Sequence, residues 1–477
     1  MTKTLSPDIC IIGAGSAGLS LAAGAAQLGA DVVLIEEREM GGDCLNFGCV
    51  PSKALISAAK LAAVSKKSSP LGVELKTENI GFQKVHDHIH EVIASIAPHD
   101  SQERFEGLGC TVIREHAQFV DSATLQAGEY QVRARDFVIA TGSRPLVPPI
   151  PGLADTPHLT NETVFGLKEM PRSLIVLGGG PIGCELAQSF ARLGAEVHVL
   201  ELARLLPRDD AEAAALVHRS LVGDGVQTHE GHKAVRVEAT EAGGVRVHAE
   251  ADGREVAFEA DRLLVALGRV PSLDNLGLDA AGVRRQRAGV EHNERLRTSN
   301  KRVWVAGDAA GELQFTHVAG YHAGLLVRNL LFRMPARISR RAVPWVTYTE
   351  PELAQVGLTE EAAKKGDPKV TTARFDFAEN DRARATRSTE GFVRAVVDSR
   401  GRAVGCTIVG DHAGELILPW VLLIESGMKL SRMASVIAPY PTLSEASKRA
   451  AGSWYTPSLF SPRTRKVVRL LGHLPRL

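Results

Sequence analysis

The sequence predicts an α/β protein built on two Rossmann-like dinucleotide-binding folds, and three observations carry that prediction. A glycine-rich turn in a strand–turn–helix context occurs twice, at residues 13–18 and 178–183. Each turn is followed, 23 positions after its first glycine, by an acid that ends a second apolar strand. The chain, at 477 residues, is also too long for one core of about 100 to 200 residues.

The first turn follows the strand Asp8–Ile12 and precedes an alanine-rich helix, after which a second strand ends at Glu36. Gly13, Gly15 and Gly18 permit a tight turn and let a pyrophosphate sit against helix N–H groups, while Glu36 is placed to accept ribose hydroxyls. The segment SLIVLGGGPIGCELAQSFARLGAEVHVLE repeats the pattern with Gly178, Gly180, Gly183 and Glu201. Two dinucleotides are therefore expected. Glu201 repels a 2'-phosphate and bonds a free hydroxyl, which favours NAD(H) over NADP(H), although Arg204 keeps the second open. Between and after the turns, ATGSRP (Ala140 to Pro145) closes the strand FVIA, and VWVAGDAAG places Asp308 just past another apolar strand, where a carboxylate can hold a sugar-chain hydroxyl.

Lys and Arg number 56 against 55 Asp and Glu, so a net charge of +1 gives no general reason to expect nucleic acid or a membrane surface. A polar MTKTLSPD leads directly into ICII, and no stretch reaches the roughly 18 apolar residues that span a bilayer, which predicts a cytoplasmic protein. Four of the six cysteines, Cys10, Cys110, Cys184 and Cys406, are scattered singly, as buried thiols are. Only Cys44 and Cys49, in GGDCLNFGCVPSK, form a spaced pair. Structural zinc wants two or three residues between cysteines and a second ligand pair, so the pair reads as reactive rather than metal-holding, and no metal is predicted. An alanine-rich helical pattern follows it. Positions five apart differ by about 140° around a regular helix, so the first turn must be distorted if the sulfurs meet. Pro51 tolerates that near a helix start, and the helix N-terminus stabilises a thiolate.

Together, GGDCLNFGCVPSK, both fingerprints, ATGSRP, ALGRVP at 266–271, AGD at 306–308 and PYPTLSE resemble the FAD-dependent pyridine nucleotide-disulfide oxidoreductases, the group of dihydrolipoamide dehydrogenase, glutathione reductase and mercuric reductase, over about residues 6–455. The resemblance implies an FAD-binding domain in residues 1–150, an NAD(P)-binding domain in 151–270, a return to the FAD side in 271–341, and a C-terminal α+β dimerisation domain in 342–477 that makes a homodimer. It implies that Gly13, Gly15, Gly18, Glu36, Ala117, Thr141, Gly142 and Asp308 hold FAD, and that Gly178, Gly180, Gly183, Glu201 and Gly268 hold the nicotinamide cofactor. Cys49 is then the flavin-side sulfur and Cys44 the outer thiol, with Lys53 and Glu185 as an ion pair beside the flavin. The substrate implied is a small disulfide, dithiol or thiol-bound metal species.

One departure stands out. Members that act on dithiols carry His-Pro in the C-terminal domain with Glu five positions on, whereas this chain has Tyr440, Pro441 and Glu445. The ordinary pKa rises from about 6.5 to about 10, so near pH 7 the tyrosine donates a hydrogen bond and accepts a proton poorly. Mercuric reductases also carry tyrosine there, but their C-terminal cysteine pair is missing, because no cysteine follows Cys406. Reduction of a metal ion or quinone is the alternative activity. The tail 461–477, SPRTRKVVRLLGHLPRL, carries basic residues among Val and Leu and no acid, a pattern for contact with a membrane surface or an acidic partner, and with it a redox-sensing binding role of a different class.

Overall fold

The computed structural model describes residues 3–76 and 79–474. They divide into two compact units, one formed by the chain up to Leu202 with Gly225–Ile338, the other by Ala203–Asp224 with the chain from Ser339 onward.

The first unit opens on the strand Ile9–Ile12 (β1), every residue of which is buried. Ile9 and Ile11 enter one core with Leu21 of the helix Ser16–Gln27 (α1), while Cys10 and Ile12 enter another with Phe119 and Phe137. A continuous apolar run is what a parallel strand covered on both faces requires. The chain continues through Val32–Ile35 (β2) and then two helices, Gly42–Asn46 (α2) and Cys49–Ala62 (α3), which carry the cysteine pair. Thr111–Ile113 (β3) and Asp136–Ile139 (β4) follow.

The second fold is built from Ser173–Leu177 (β5), Pro181–Leu193 (α4), Glu196–Glu201 (β6), Val226–Glu230 (β7) and Arg262–Val265 (β8). The chain then returns to the first sheet with Val303–Val305 (β9), followed by the helix Thr316–Leu330 (α5), which packs on α1. Both sheets are parallel, in the orders β9-β4-β1-β2-β3 and β7-β6-β5-β8. In each, the glycine turn leaves the C-terminal end of an inner strand, the place where open parallel sheets bind ligands.

The second unit is an antiparallel five-stranded sheet of Pro344–Thr347 (β10), Glu352–Gly357 (β11), Thr371–Asp376 (β12), Phe392–Val397 (β13) and Ala403–Gly410 (β14), ordered β10-β11-β14-β13-β12. The helix Glu445–Ser453 (α6) lies on it through Ala446, Ala450 and Ala451, and Trp420 donates from Nε1 to Ser447 Oγ at 2.9 Å. This unit also holds the helix Ala211–Gly223. Asp210 caps that helix and bonds Arg394 at 2.9 Å, while Glu212 bonds Arg374 at 2.8 Å. Unit 2 is thus α+β and unit 1 α/β. Among the described residues no helix is long and apolar enough to cross a membrane.

Candidate active site

The first glycine turn is built so that side chains do not fit. Gly13 has φ of +108°, and a Cβ there meets the Ala140 carbonyl oxygen at 2.4 Å; a Cβ on Gly18 meets the Gly13 carbonyl oxygen at 1.8 Å. Gly15, at the start of α1, has no side-chain cap and no acid follows in the first turn, so the helix presents bare N–H groups and its positive end. Glu36 accepts from the N–H groups of Ala14 and Arg38, both at 2.7 Å. Thr141 Oγ1 is buried with no hydrogen-bond partner among the described residues, and Gly142 beside it has φ of +67°. Asp308 accepts from Ser143 Oγ at 2.6 Å, and burial pushes its carboxyl above the ordinary range. An uncapped helix start, an unpartnered buried hydroxyl and a buried acid together fit the pyrophosphate and hydroxyl groups of FAD. Ala117 is buried in the strand Ala117–Phe119, registered against Ala127, and its neighbour His116 lies 2.5 Å from Glu37, beside Glu36.

The second turn repeats the construction. Gly178 has φ of +109°, a Cβ on it meets the Ala266 carbonyl oxygen at 2.5 Å, and a Cβ on Gly183 meets the Gly178 carbonyl oxygen at 1.9 Å. The Gly179 N–H donates to Glu201 at 2.7 Å. Gly180 again starts a helix without a side-chain cap, and Gly268, at φ of +114°, ends the loop after β8.

The cysteine pair does not share one distorted helix. Cys44 sits within α2 and Cys49 is the first residue of α3, with Phe47 and Gly48 out of helical conformation between them. Gly48 suits that break, because a Cβ would fall 2.8 Å from an Asp43 carboxylate oxygen and 3.0 Å from the Asp43 carbonyl oxygen. All six cysteines are in the thiol form, and Cys10, Cys110, Cys184 and Cys406 are buried. Burial pushes the Cys10 and Cys406 thiols up. Cys49 behaves in the opposite way. A hydrogen bond from Cys44, the Thr316 hydroxyl 3.3 Å away and the Lys53 charge bring it down to about 6, while Cys44 is held well above the ordinary thiol range by that same bond and by burial. The pair therefore loses its first proton from Cys49. One turn along α3, Lys53 Nζ lies 2.8 Å from Glu185 of α4, a carboxylate only 6% exposed. A contact with one member this buried holds the lysine side chain in place.

Residues that the sequence reading passed over anchor this geometry. Arg269 reaches Asp43 at 3.0 Å, Asn161 at 3.1 Å and Ser143 Oγ at 2.8 Å, and Asn161 donates to Asp43 at 2.9 Å. Asp43 directly precedes Cys44, so the clamp ties the Cys44 helix to the short strand Ser143–Pro145, whose Ser143 bonds Asp308. Thr316 opens α5 and reaches Cys49. The RVP of ALGRVP was the one available signal for this clamp; nothing in sequence marks Asn161 or Thr316.

In the second unit, Tyr440 is 69% exposed and donates from its hydroxyl to Asp381 at 3.0 Å, a bond that raises its pKa further. Glu445 begins α6 and accepts from Arg449 at 3.0 Å.

The family model described as pyridine nucleotide-disulphide oxidoreductase matches residues 7–323, and that family's dimerisation domain matches residues 343–451. The chain belongs to this family. It is accordingly an oxidoreductase of the flavin disulfide type, working with FAD and a nicotinamide nucleotide, and its dimerisation domain supports a homodimer. Among its similar family members, the mercuric reductase of Staphylococcus aureus is 34% identical over 447 residues, covering 93% of this chain and 82% of the relative. Dihydrolipoyl dehydrogenase 3 of Haloarcula marismortui is 34% identical over 463 residues, covering 94% and 96%. Among solved structures, the HOCl-induced flavoprotein disulfide reductase RclA of Escherichia coli superposes with a TM-score of 0.82 at 29% identity, covering 93% of this chain and 99% of RclA.

Proposed function

We propose that this flavoenzyme is NADH-dependent, works in the cytoplasm, and exchanges electrons between the nicotinamide and a small disulfide or dithiol by way of Cys44 and Cys49, in the manner of dihydrolipoamide dehydrogenase. The observation that carries the reading is the thiol pair at the start of α3, in which Cys49 is set to ionise and Cys44 to keep its proton. FAD, when bound, supplies two-electron transfer between the nicotinamide and the sulfur pair. Gly13, Gly15, Gly18, Glu36, Ala117, Thr141, Gly142 and Asp308 hold it, and Gly178, Gly180, Gly183, Glu201 and Gly268 hold the nicotinamide nucleotide. Lys53, fixed by Glu185, supplies a positive charge where negative charge develops. Cys44 is the thiol that exchanges with substrate, passing the proton it shares with the Cys49 thiolate to that sulfur as it attacks. Tyr440, whose ionisation Asp381 opposes, turns its hydroxyl from Asp381 to donate a hydrogen bond to the sulfur departing at the cysteine pair of the partner subunit, and Glu445 begins the helix that follows it.

The preference for NADH is supported by Arg204. Its guanidinium donates to the carbonyl groups of Leu205, Leu206, Pro207 and Asp209, so it is committed to its own loop rather than to a 2'-phosphate.

Replacing Cys44 by serine tests the reading. NADH should still bleach the bound flavin, while lipoamide turnover falls by on the order of 10³-fold, as for loss of a covalent nucleophile. Unchanged lipoamide turnover sinks the assignment. In the same assay Tyr440→Phe should slow disulfide turnover and leave flavin bleaching alone. A second reading, reduction of a thiol-bound metal ion, is favoured by the tyrosine at position 440; NADH oxidation with Hg(II) or Cu(II) and none with lipoamide selects it.

A further inference from the structure

The helix Pro462–Leu471 (α7) lies outside both family matches, and the redox chemistry makes no use of it. It is well defined. Ser461 caps it, accepting from the Thr464 N–H at 3.2 Å, and Pro462 occupies the first turn. At about 100° per residue, Arg465, Lys466 and Arg469 share one face, and Val467, Val468 and Leu471 the opposite one, with Leu470 at the border. Within the single chain no residue of α7 is buried, and Val467, Val468, Leu470 and Leu471 are all exposed, as are Leu459 and Phe460 just before it. The helix contains no acid. Among the described residues none of its four cations, Arg463 included, has a carboxylate partner. The last three residues of the predicted contact segment, 475–477, lie outside the described residues.

We propose that α7 is a docking element for an anionic phospholipid surface, lying in the plane of the interface with its apolar face down. The two faces together select that partner. An acidic protein satisfies the cations and leaves the apolar stripe in water. A second copy of α7 covers the stripe but sets cation against cation, and a ten-residue helix, about 15 Å long, offers far less than the roughly 800 Å² per partner of a stable protein interface. A bilayer meets both requirements, because apolar side chains enter the headgroup boundary while phosphates meet the cations. A homodimer carries two such helices, and two weak contacts on one surface reinforce each other.

The test uses the full-length, FAD-loaded protein sedimented with vesicles of phosphatidylcholine, alone or mixed with phosphatidylglycerol. Binding to the mixed vesicles should exceed binding to the neutral ones by about ten-fold or more and should weaken as salt rises, since the attraction is screened. Arg465→Glu with Lys466→Glu and Arg469→Glu should abolish it, and Val468→Ser with Leu471→Ser should reduce it, with disulfide turnover and melting temperature unchanged in both variants. Equal binding to the two vesicle types, no binding, or anionic binding that survives both variants overturns the proposal. So does a change in oligomeric state on charge reversal without any vesicle binding, which assigns the helix to a second copy.

Discussion

The two nucleotide folds of this chain build their glycine turns alike and diverge along the helices that follow. Gly13 and Gly178 take φ of +108° and +109°, a Cβ on Gly18 or Gly183 falls 1.8 or 1.9 Å from a carbonyl oxygen, and Glu36 and Glu201 each accept an N–H of the turn at 2.7 Å. Seven positions after the first glycine they part. α1 carries Ser20, exposed to solvent, whereas α4 carries Glu185, buried against Lys53. The first turn also meets the redox segment directly, since a Cβ on Gly42 falls 2.7 Å from Gly15 Cα. Backbone geometry thus equips both folds to bind, and the side chains on the next helical turn decide which chemistry each one joins.

The hardest test of that equivalence is to add one methyl group to each turn. Gly18→Ala should purify with almost no flavin, because the carbonyl oxygen at 1.8 Å is backbone and cannot yield cheaply. Gly183→Ala should keep its flavin and raise the KM for NADH by on the order of 100-fold, a displacement of a few kcal/mol. Flavin absorbance per chain and an NADH titration read both outcomes. Full flavin content in Gly18→Ala breaks the comparison at its base.

The divergence is tested at Glu185. Glu185→Gln and Lys53→Met should each slow flavin reduction by NADH on the order of 10²-fold, the scale for removing one preorganised charged group, without loss of flavin. The double variant should be no slower than the worse single one, since the two act as a unit. Ser20→Ala, at the matching place in α1, should change neither quantity. Stopped-flow rates decide, and additive losses separate the pair into two unrelated residues.

What sequence alone conveys follows this division. The glycine turns are legible because their requirement is local: a positive φ and a close carbonyl exclude every other residue within six positions. The strand ICII is legible because burial on both faces leaves a continuous apolar run. The Lys53–Glu185 pair, 132 positions apart, came only from resemblance to the family. Asn161 lies 118 positions from Asp43, and Thr316 lies 267 from Cys49; both are ordinary polar residues whose neighbours are fixed by tertiary packing. The distortion expected around the cysteine pair is present, but as a break at Phe47–Gly48 into two helices. The glycine there faces both the carboxylate and the carbonyl oxygen of Asp43, five residues back, which no helix rule anticipates. The helix Ala211–Gly223 joins the C-terminal unit through Arg374 and Arg394, a grouping that chain order conceals.

A thiol near the start of each fold's functional helix extends the comparison to pH. Cys49 is exposed at the start of α3, and Cys184 is buried near the start of α4, its thiol 3.4 Å from the Gly179 carbonyl. Cys49 has its folded pKa brought down to about 6, so its thiolate is present above that pH and is lost as pH falls through it. In the reduced protein, iodoacetamide labelling of Cys49, followed by peptide mass spectrometry, should level off near neutral pH and fall about ten-fold per unit below the pKa. Cys184 should stay unlabelled throughout. Cys44→Ala removes the strongest of the lowering contacts and should move the plateau to higher pH. A plateau that stays put assigns the lowering to Thr316 and Lys53 instead.

The smallest effect is expected where the two folds look most alike, at the acid that ends the second strand. Glu201→Ala removes the acceptor of the Gly179 N–H together with the group proposed to bind the ribose hydroxyl, so the KM for NADH should rise by several-fold to about ten-fold. Relief of charge repulsion should lower the KM for NADPH by less. Arg204, the nearest arginine in sequence, is bound to four carbonyl groups of its own loop and is not released by the change. Selectivity should therefore relax mainly by loss of NADH binding. A gain in NADPH binding equal to that loss requires Arg204 to abandon those carbonyls, and a crystal structure with NADP bound then locates its guanidinium.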